Sequence, residues 1–436
     1  MKPYKITILL FSLLSLFCFV ERAMGQWTQW GGPNRNFVVE TTGLADQWSE
    51  TGPPRIWERD LGEGYSAILC ENGVLYTLYR KANEFQNESV IALDANTGRT
   101  IWDTAYPSPP LSPDGKYPGP NAAPLLVGDR LYTFGQSGVL TCYRKTDGTV
   151  LWQKNLPEML KAPAPGWGFS AGPIAYEQTV IVPIGCAMPY MRIPPFQTET
   201  YAPPSGQSLV ALDQQNGEIV WKNLDFMMGH SSPILIRFEG REMLVLYTCS
   251  GVTGVDPANG RELWNYALVQ DHPDAVINTP AWNGAGLLYL GAGNFGLVLK
   301  LSKEAEGFKV EELWRSSKVA LGMSTPLVVD GLLIGSKRGN QPLIYGVDFT
   351  TGERTCYVRA LPTATLVAGD GKIILLDAEG NLALATATQG EIVIRSQSQV
   401  MQRQSFTPPT LVGTRLYVRD THKIMALELG TALTVK

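Results

Sequence analysis

Histidine is the scarcest chemistry-bearing residue of this chain: three among 436 positions, at 230, 272 and 422. A His-rich metal site is thereby excluded. Cysteine is almost as thin, six in all, with no Cys-x-x-Cys pair and no haem-attachment spacing. Charge of one sign is missing too. The formal net charge is −4, Lys and Arg are interleaved with Asp and Glu, and no basic stripe exists, which removes the footprint that nucleic-acid binding requires. Helical periodicity is absent, and beyond residue 25 no apolar run is long enough to span a bilayer. What remains abundant is turn material. With Gly 44, Pro 30 and 44% hydrophobic residues, the chain reads as many short strands joined by tight turns around a sizeable core.

One hairpin recurs. Leu93-Asp94-Ala95-Asn96-Thr97-Gly98 leads to Trp102, Leu212-Asp213-Gln214-Gln215-Asn216-Gly217 to Trp221, and Val255-Asp256-Pro257-Ala258-Asn259-Gly260 to Trp264. Looser copies are Thr146-Asp147-Gly148 before Trp152, and Val347-Asp348-Phe349-Thr350-Thr351-Gly352 before Cys356. Asp and Asn side chains can bond the turn backbone, and Gly takes the positive φ that closes it. The hairpin is the end of a larger unit of four strands, A to D. Its D strands fall at Trp102, Trp152, Trp221, Trp264, Trp314, Cys356 and Ile394, spaced 50, 69, 43, 50, 42 and 38 residues apart. Such spacing, one inserted loop apart, is that of propeller blades. The chain ends on an A-B-C set (Pro409–Val412, Arg415–Val418, Ile424–Leu427) without a D, and an orphan strand at Arg55–Leu61 with Trp57 supplies it. The expected fold is therefore all-β: an eight-bladed propeller of four-stranded antiparallel blades, the last closed by the N-terminal strand, which leaves only short protected edges.

Domain bounds follow. Lys2 and Lys5 precede the apolar run Ile6–Val20, and Ala23-Met24-Gly25 places small residues before Gln26, so 1–25 reads as a secretory signal peptide; a retained anchor is the other reading. Cys18 follows Leu16-Phe17, too bulky for a lipidation site. Residues 26–54 form an irregular leader packed on the propeller, 55–430 the propeller, and 431–436 a tail. Past residue 25, Cys70, Cys142, Cys186, Cys249 and Cys356 read as buried free thiols, with one disulfide left open.

The Leu-Asp-x-x-Thr-Gly-x-x-x-Trp pattern resembles the repeat of the pyrroloquinoline-quinone (PQQ)-like β-propellers, a superfamily that contains the quinoprotein alcohol dehydrogenases and the outer-membrane assembly lipoprotein BamB. Trp30-Gly31-Gly32-Pro33-Asn34-Arg35 and Gly62-Glu63-Gly64-Tyr65-Ser66 resemble segments of exported bacterial proteins of this class. The resemblance covers nearly the whole chain past residue 25 and implies the fold more strongly than a function.

Aligning the starts of the A strands on Pro124, Pro233, Pro280 and Pro326 puts Tyr65, Asn121, Ser170, His230, Ile277, Met323, Pro362 and Phe406 at one level around the axis, followed mostly by small residues. The longest loops, Lys81–Ser89, Thr104–Pro120, Pro157–Gly168 and Ala187–Gly206, fall on the same face and carry Tyr106, Trp167 and Tyr190. Their exposed aromatics and Met are expected to capture a partner; the alternative is that they fold over one another as a plug. The binding residues expected at the channel mouth and loops are thus Tyr65, Asn121, Trp167, Ser170, Tyr190, His230, Met323 and Phe406, with no catalytic and no metal residue assigned. Gly168-Phe169-Ser170-Ala171-Gly172 matches the hydrolase Gly-x-Ser-x-Gly, but no helix follows Ser170. Gly291-Ala292-Gly293-Asn294-Phe295-Gly296 matches a dinucleotide fingerprint, but a strand follows it. Asp271-His272-Pro273-Asp274 is too small a set for Ca²⁺.

Two functions are compatible with these features. The first is an exported, non-catalytic, monomeric scaffold, periplasmic or secreted, which binds a protein or peptide partner as the resemblance to BamB implies and needs no cofactor. The alternative is a PQQ-dependent oxidoreductase with quinone and Ca²⁺. The resemblance implies a Ca²⁺ held by Glu, Asn and Asp beside an adjacent-cysteine disulfide in many of those enzymes. This sequence has no adjacent cysteines, and its axial ring is largely uncharged.

Overall fold

The turn carboxylates build the repeat. In the computed structural model, which describes residues 26–111, 119–162, 168–185, 206–268, 276–322, 324–337, 339 and 341–431, Asp94 Oδ1 accepts hydrogen bonds from the backbone N–H groups of Asn96 and Thr97 at 3.1 and 2.8 Å. Asp213, Asp256 and Asp348 do the same in their own turns. The backbone and hydroxyl of Thr149, with Arg144, hold the Asp147 carboxyl down at about 2. Each of these turns joins a C strand to a D strand, and the strands assemble into eight separate sheets.

The inner strands are Leu69–Glu71, Leu125–Val127, Ile174–Tyr176, Ile234–Phe238, Ala281–Trp282, Leu327–Val329, Thr365–Gly369 and Thr410–Val412. B strands such as Leu332–Ser336 are buried throughout, being covered on both faces by neighbouring blades. Outer strands such as Thr100–Pro107 alternate between exposed and buried residues, since each lies at a rim. The expected closure is present: Arg55–Asp60 pairs antiparallel with Lys423–Glu428, Trp57 opposite Ala426. Arg419, fully buried, locks the same junction by donating to Leu78 O at 2.6 Å, Thr77 Oγ1 at 3.0 Å and Gly62 O at 3.3 Å of blade one. Burial pushes its guanidinium down to about 10.

Tryptophan and glycine of the motif meet across blades. Trp102 Nε1 donates to Lys145 O of blade two at 2.9 Å, Trp152 to Gln214 O of blade three at 3.1 Å, and Trp314 to Phe349 O of blade six at 3.0 Å. Each ring covers the next blade's turn glycine so closely that a Cβ at Gly148 would stand 2.5 Å from Trp102, and one at Gly352 2.6 Å from Trp314. Where Cys356 replaces Trp, the partner turn changes as well: Gly390 has open space around its missing Cβ.

The leader departs from the irregular segment expected. Val38–Val39 is a short strand pairing in parallel with Thr365–Gly369, so blade seven has five strands instead of four. The reason is the free inner edge of every A strand, whose backbone groups need partners. The leader supplies them along its course. Trp27 exchanges two backbone bonds with Cys70 of blade one, Thr28 O accepts from Leu126 N of blade two, and Phe37 O accepts from Ala368 N of blade seven. It thereby crosses the axis at the end of the inner strands, on the face of the Asp turns. Cys70, Cys142, Cys249 and Cys356 are buried free thiols, while Cys186 and residues 1–25 lie outside the described residues. Among the described residues no helix is long and apolar enough to cross a membrane.

Candidate functional site

A propeller of this connectivity has two unlike faces. The D-to-A and B-to-C connections emerge on one, the A-to-B and C-to-D turns on the other. On the first face the inner strands begin, and there the structure brings together the ring expected from sequence. Tyr65, Asn121, Ser170, His230, Ile277, Pro362 and Phe406 are all half-buried, while Ser66, Ala122, Ala171, Ser231, Asn278 and Thr407, the residues just after six of them, are buried. Met323, Trp167 and Tyr190, together with the Asp271–Asp274 cluster, lie outside the described residues.

The small buried layer is small because it fastens blade to blade. Ser66 Oγ donates to Ala122 O at 2.8 Å, Ser324 Oγ to Ala364 O at 2.7 Å, and Thr407 Oγ1 to Tyr65 O at 3.0 Å. Ser232 Oγ accepts from Gly172 N at 3.0 Å. Adjacent inner strands are thus held by hydroxyls at a level where larger side chains would collide.

Above that layer the ring divides into two arcs. On blades eight and one, Phe406 and Tyr65 place their rings 5.7 Å apart at 41°, and Tyr65 Oη donates to Gln404 Oε1 at 3.3 Å. Pro362 and Ile277 extend this apolar side. On blades two to four stand Asn121, Ser170 and His230. Ser170 Oγ and His230 Nδ1 share a hydrogen bond of 2.7 Å, and the His230 backbone N–H is tied to Val276 O at 2.7 Å. Sequence spacing gave no sign of this pairing, since the two residues lie on different blades, 60 positions apart.

The opposite mouth is occupied. Gly31 and Gly32, both at φ 76°, fold the leader back so tightly that a Cβ on Gly31 would meet the Arg35 backbone at 2.6 Å. This turn drives Trp30 up the axis, where its Nε1 donates to Thr279 Oγ1 of blade five at 2.8 Å, and Phe37 packs edge-on against it at 5.1 Å. An indole thus fills the axis from the side of the Asp turns.

Tyr106, expected among the exposed loop aromatics, is instead 3% exposed. Its hydroxyl donates to Glu88 Oε2 at 2.7 Å, and Glu88 also takes Arg80 at 3.2 Å and the Gln136 backbone N–H. Burial raises the Glu88 carboxyl above its usual range, against the hydrogen bond from Tyr106 and the charge of Arg80. Arg80 in turn donates to Phe85 O, Asn87 O and Ser108 O, so this buried network fixes the blade-one loops. Among the described residues, the exposed large apolar side chains on that face include Phe85, 55% exposed, and Met159, 47% exposed. Neither stood out in the sequence, because a single Phe or Met in a polar loop carries no pattern.

Among the described residues no group of three or more His, Cys, Asp and Glu is placed to hold a metal ion. The described ring positions offer two oxygen-bearing polar side chains besides Tyr65, namely Asn121 and Ser170, where Ca²⁺ takes about six to eight oxygens. This donor set does not fit a quinone-linked Ca²⁺.

Fold and repeat together define an eight-bladed β-propeller of the PQQ-like class. Residues 86–354, more than half of the chain, match the family model described as outer membrane protein assembly factor BamB, and the chain belongs to that family. Among solved structures it is similar to the quinohemoprotein alcohol dehydrogenase of Comamonas testosteroni, at 14% identity and TM-score 0.51, covering 94% of this chain and 82% of that one. The computationally designed Ika8 protein is similar at 10% identity and TM-score 0.57, covering 86% and 100%. BamB of Moraxella catarrhalis is 19% identical, with TM-score 0.42 and coverage of 90% and 96%. At these identities the likeness concerns the fold alone. No curated protein matches the sequence.

Proposed function

We propose that this protein is an exported, non-catalytic propeller that holds a protein or peptide partner on its loop-bearing face. The observation that carries this reading is the asymmetry of the axis: one mouth is filled by the protein's own leader, whereas the other presents an aromatic arc facing a hydrogen-bonding arc. Such a mixture suits recognition, where rigid aromatics give area and neutral polar groups give orientation. The N-terminal sequence supports export, through the periplasm or beyond it. A PQQ-dependent oxidoreductase is the competing reading, and it draws on fold alone.

Site-specific photocrosslinking in the exporting cell tests the proposal. A photoreactive residue at Asn121, on the loop-bearing face, should give one dominant protein adduct, and the same residue at Asn96, on the turn face, should not. Equal adducts from both faces would refute it.

A further inference from the structure

Blade seven meets blade eight without the clasp of tryptophan on turn glycine. Ile394 stands where the motif places Trp, and blade eight has no C-to-D turn, because Lys423–Glu428 and Arg55–Asp60 come from distant parts of the chain. The leader bridges the gap. Leu44 N donates to Asp370 Oδ2 at 2.9 Å, Ala45 N to Leu429 O at 2.7 Å and Glu428 N to Pro54 O at 2.9 Å. Midway, Trp48 N donates to Ser396 Oγ at 2.9 Å, and that hydroxyl donates to Trp48 O at 3.2 Å. Between these ties lies a cleft of about 740 Å³, a volume typical of ligand sites. Its walls are held in place by the protein's own bonds, which lowers the ordering cost of binding.

The lining specifies the ligand. Trp48, Pro53, Pro54, Val400, Leu427 and Leu429 give the cleft an apolar interior. The charges at its border are matched within the protein, Asp46 by Lys372, Arg55 by Glu58 and Glu428 by Arg415, so a neutral ligand fits. Two polar groups of the wall are left over. Trp48 Nε1 and Ser398 Oγ are buried without a hydrogen-bond partner among the described residues. Ser398 is 9% exposed, and a Cβ on Gly52, which lines the cleft, would stand 2.6 Å from its Oγ. Buried donors are normally paired, and an indole N–H can only donate, so the ligand must bring acceptors. Gln47, Thr51, Pro54 and Gln399 on the border are exposed; the cleft is therefore open along the rim, and a chain can cross it. A proline-rich chain offers apolar rings and carbonyl acceptors, carries no N–H that needs a partner of its own, and is already extended as a polyproline II helix. Aromatic-lined grooves take such chains.

We propose that this rim cleft binds a proline-rich segment of a partner polypeptide, its rings against Trp48, Pro53 and Val400 and one prolyl carbonyl accepting the Trp48 N–H. The site is separate from the loop-bearing face and holds whether or not that face binds a partner.

The test is ligand-observed NMR on the full chain, titrating the N-acetylated amides of tetraproline, tetraalanine and single proline, with the indole N–H signals of the protein followed in parallel. Tetraproline should bind saturably and shift one indole signal, the one missing from Trp48→Phe. Tetraalanine and single proline should bind about tenfold more weakly, the first for lack of preorganisation and the second for lack of contact. Trp48→Phe, which keeps a ring but removes the donor, should weaken tetraproline about fivefold. Val400→Arg should abolish binding by filling the cleft, and Asn121→Ala on the loop-bearing face should leave it unchanged. Each variant is first matched to the parent by thermal melting, and Thr51→Arg on the exposed border serves if Val400→Arg melts early. Absence of saturable tetraproline binding, equal binding of the three amides, an affinity untouched by Trp48→Phe, or binding that survives the blocking variant would overturn the assignment. So would tetraproline binding that appears only after residues 432–436 are deleted, since the occupant would then be the chain's own end.

Discussion

Gly148→Ala isolates the contact that couples one blade to the next. Two costs add at this position. The backbone has φ 72°, a region that costs an L-residue about 1–2 kcal/mol. The new methyl would also stand 2.5 Å from Trp102 Cε3 and 2.8 Å from Thr104 Oγ1, and overpacking of that kind costs about 1–3 kcal/mol. The sum is about 2–5 kcal/mol. Gly128 provides the control, because its φ is 58° but nothing lies within 4 Å of its missing Cβ. Gly128→Ala should therefore cost only the backbone term. Urea unfolding followed by far-ultraviolet circular dichroism measures both, and the difference of about 1–3 kcal/mol is the seam contact. In a Trp102→Leu background that difference should largely vanish, since the ring it strikes is gone. If Gly148→Ala and Gly128→Ala cost the same, the turn glycine is required only for its conformation and the blade-to-blade reasoning fails.

Other outcomes follow from the same structure. Glu88→Gln, which leaves the Arg80 charge buried without its counter-ion, should cost about 3–5 kcal/mol by thermal or urea unfolding; a loss under about 1 kcal/mol would contradict the pairing. Arg419→Lys keeps the charge but loses the fork that spans Leu78, Thr77 and Gly62, so it should destabilise by about 2–3 kcal/mol and raise proteolysis near the Arg55–Asp60 strand. Burial pushes the Cys70 thiol up to about 12, so at pH 8 iodoacetamide should label Cys70 only after unfolding, as peptide mapping would show. The Asp94 and Asp147 carboxyls are held below their usual values by turn hydrogen bonds. Folded pKa values below the unfolded ones mean that their support is present above about pH 4 and lost as pH falls, for Asp147 toward about 2. Asp147→Asn should flatten that acid limb of the stability profile.

The repeat made the architecture legible because its turn chemistry is local: an Asp two residues ahead of the N–H it binds, and a Gly where φ must be positive, are visible in any one copy. Ring closure was legible for a topological reason, a missing D strand at one end and an orphan at the other. The ring level could also be read, since a Pro three residues after the ring position, present in six of the eight blades, marks the register. Contacts between blades were not legible in the same way. The Ser170–His230 bond joins residues from two blades, and the short strand Val38–Val39 arises because an inner edge needs partners, which no pattern in Val38-Val39 announces. Tyr106 misled for a related reason: its place near a long loop suggested exposure, while burial depends on Glu88, which comes from another strand.

The most direct measurement of the central claim, that this ring binds and does not oxidise, is a titration of the purified full chain with pyrroloquinoline quinone and Ca²⁺ while following bound-quinone absorbance and dye-linked alcohol oxidation. The account predicts no saturable spectral change and no turnover. Stoichiometric quinone binding with alcohol-dependent dye reduction would contradict it.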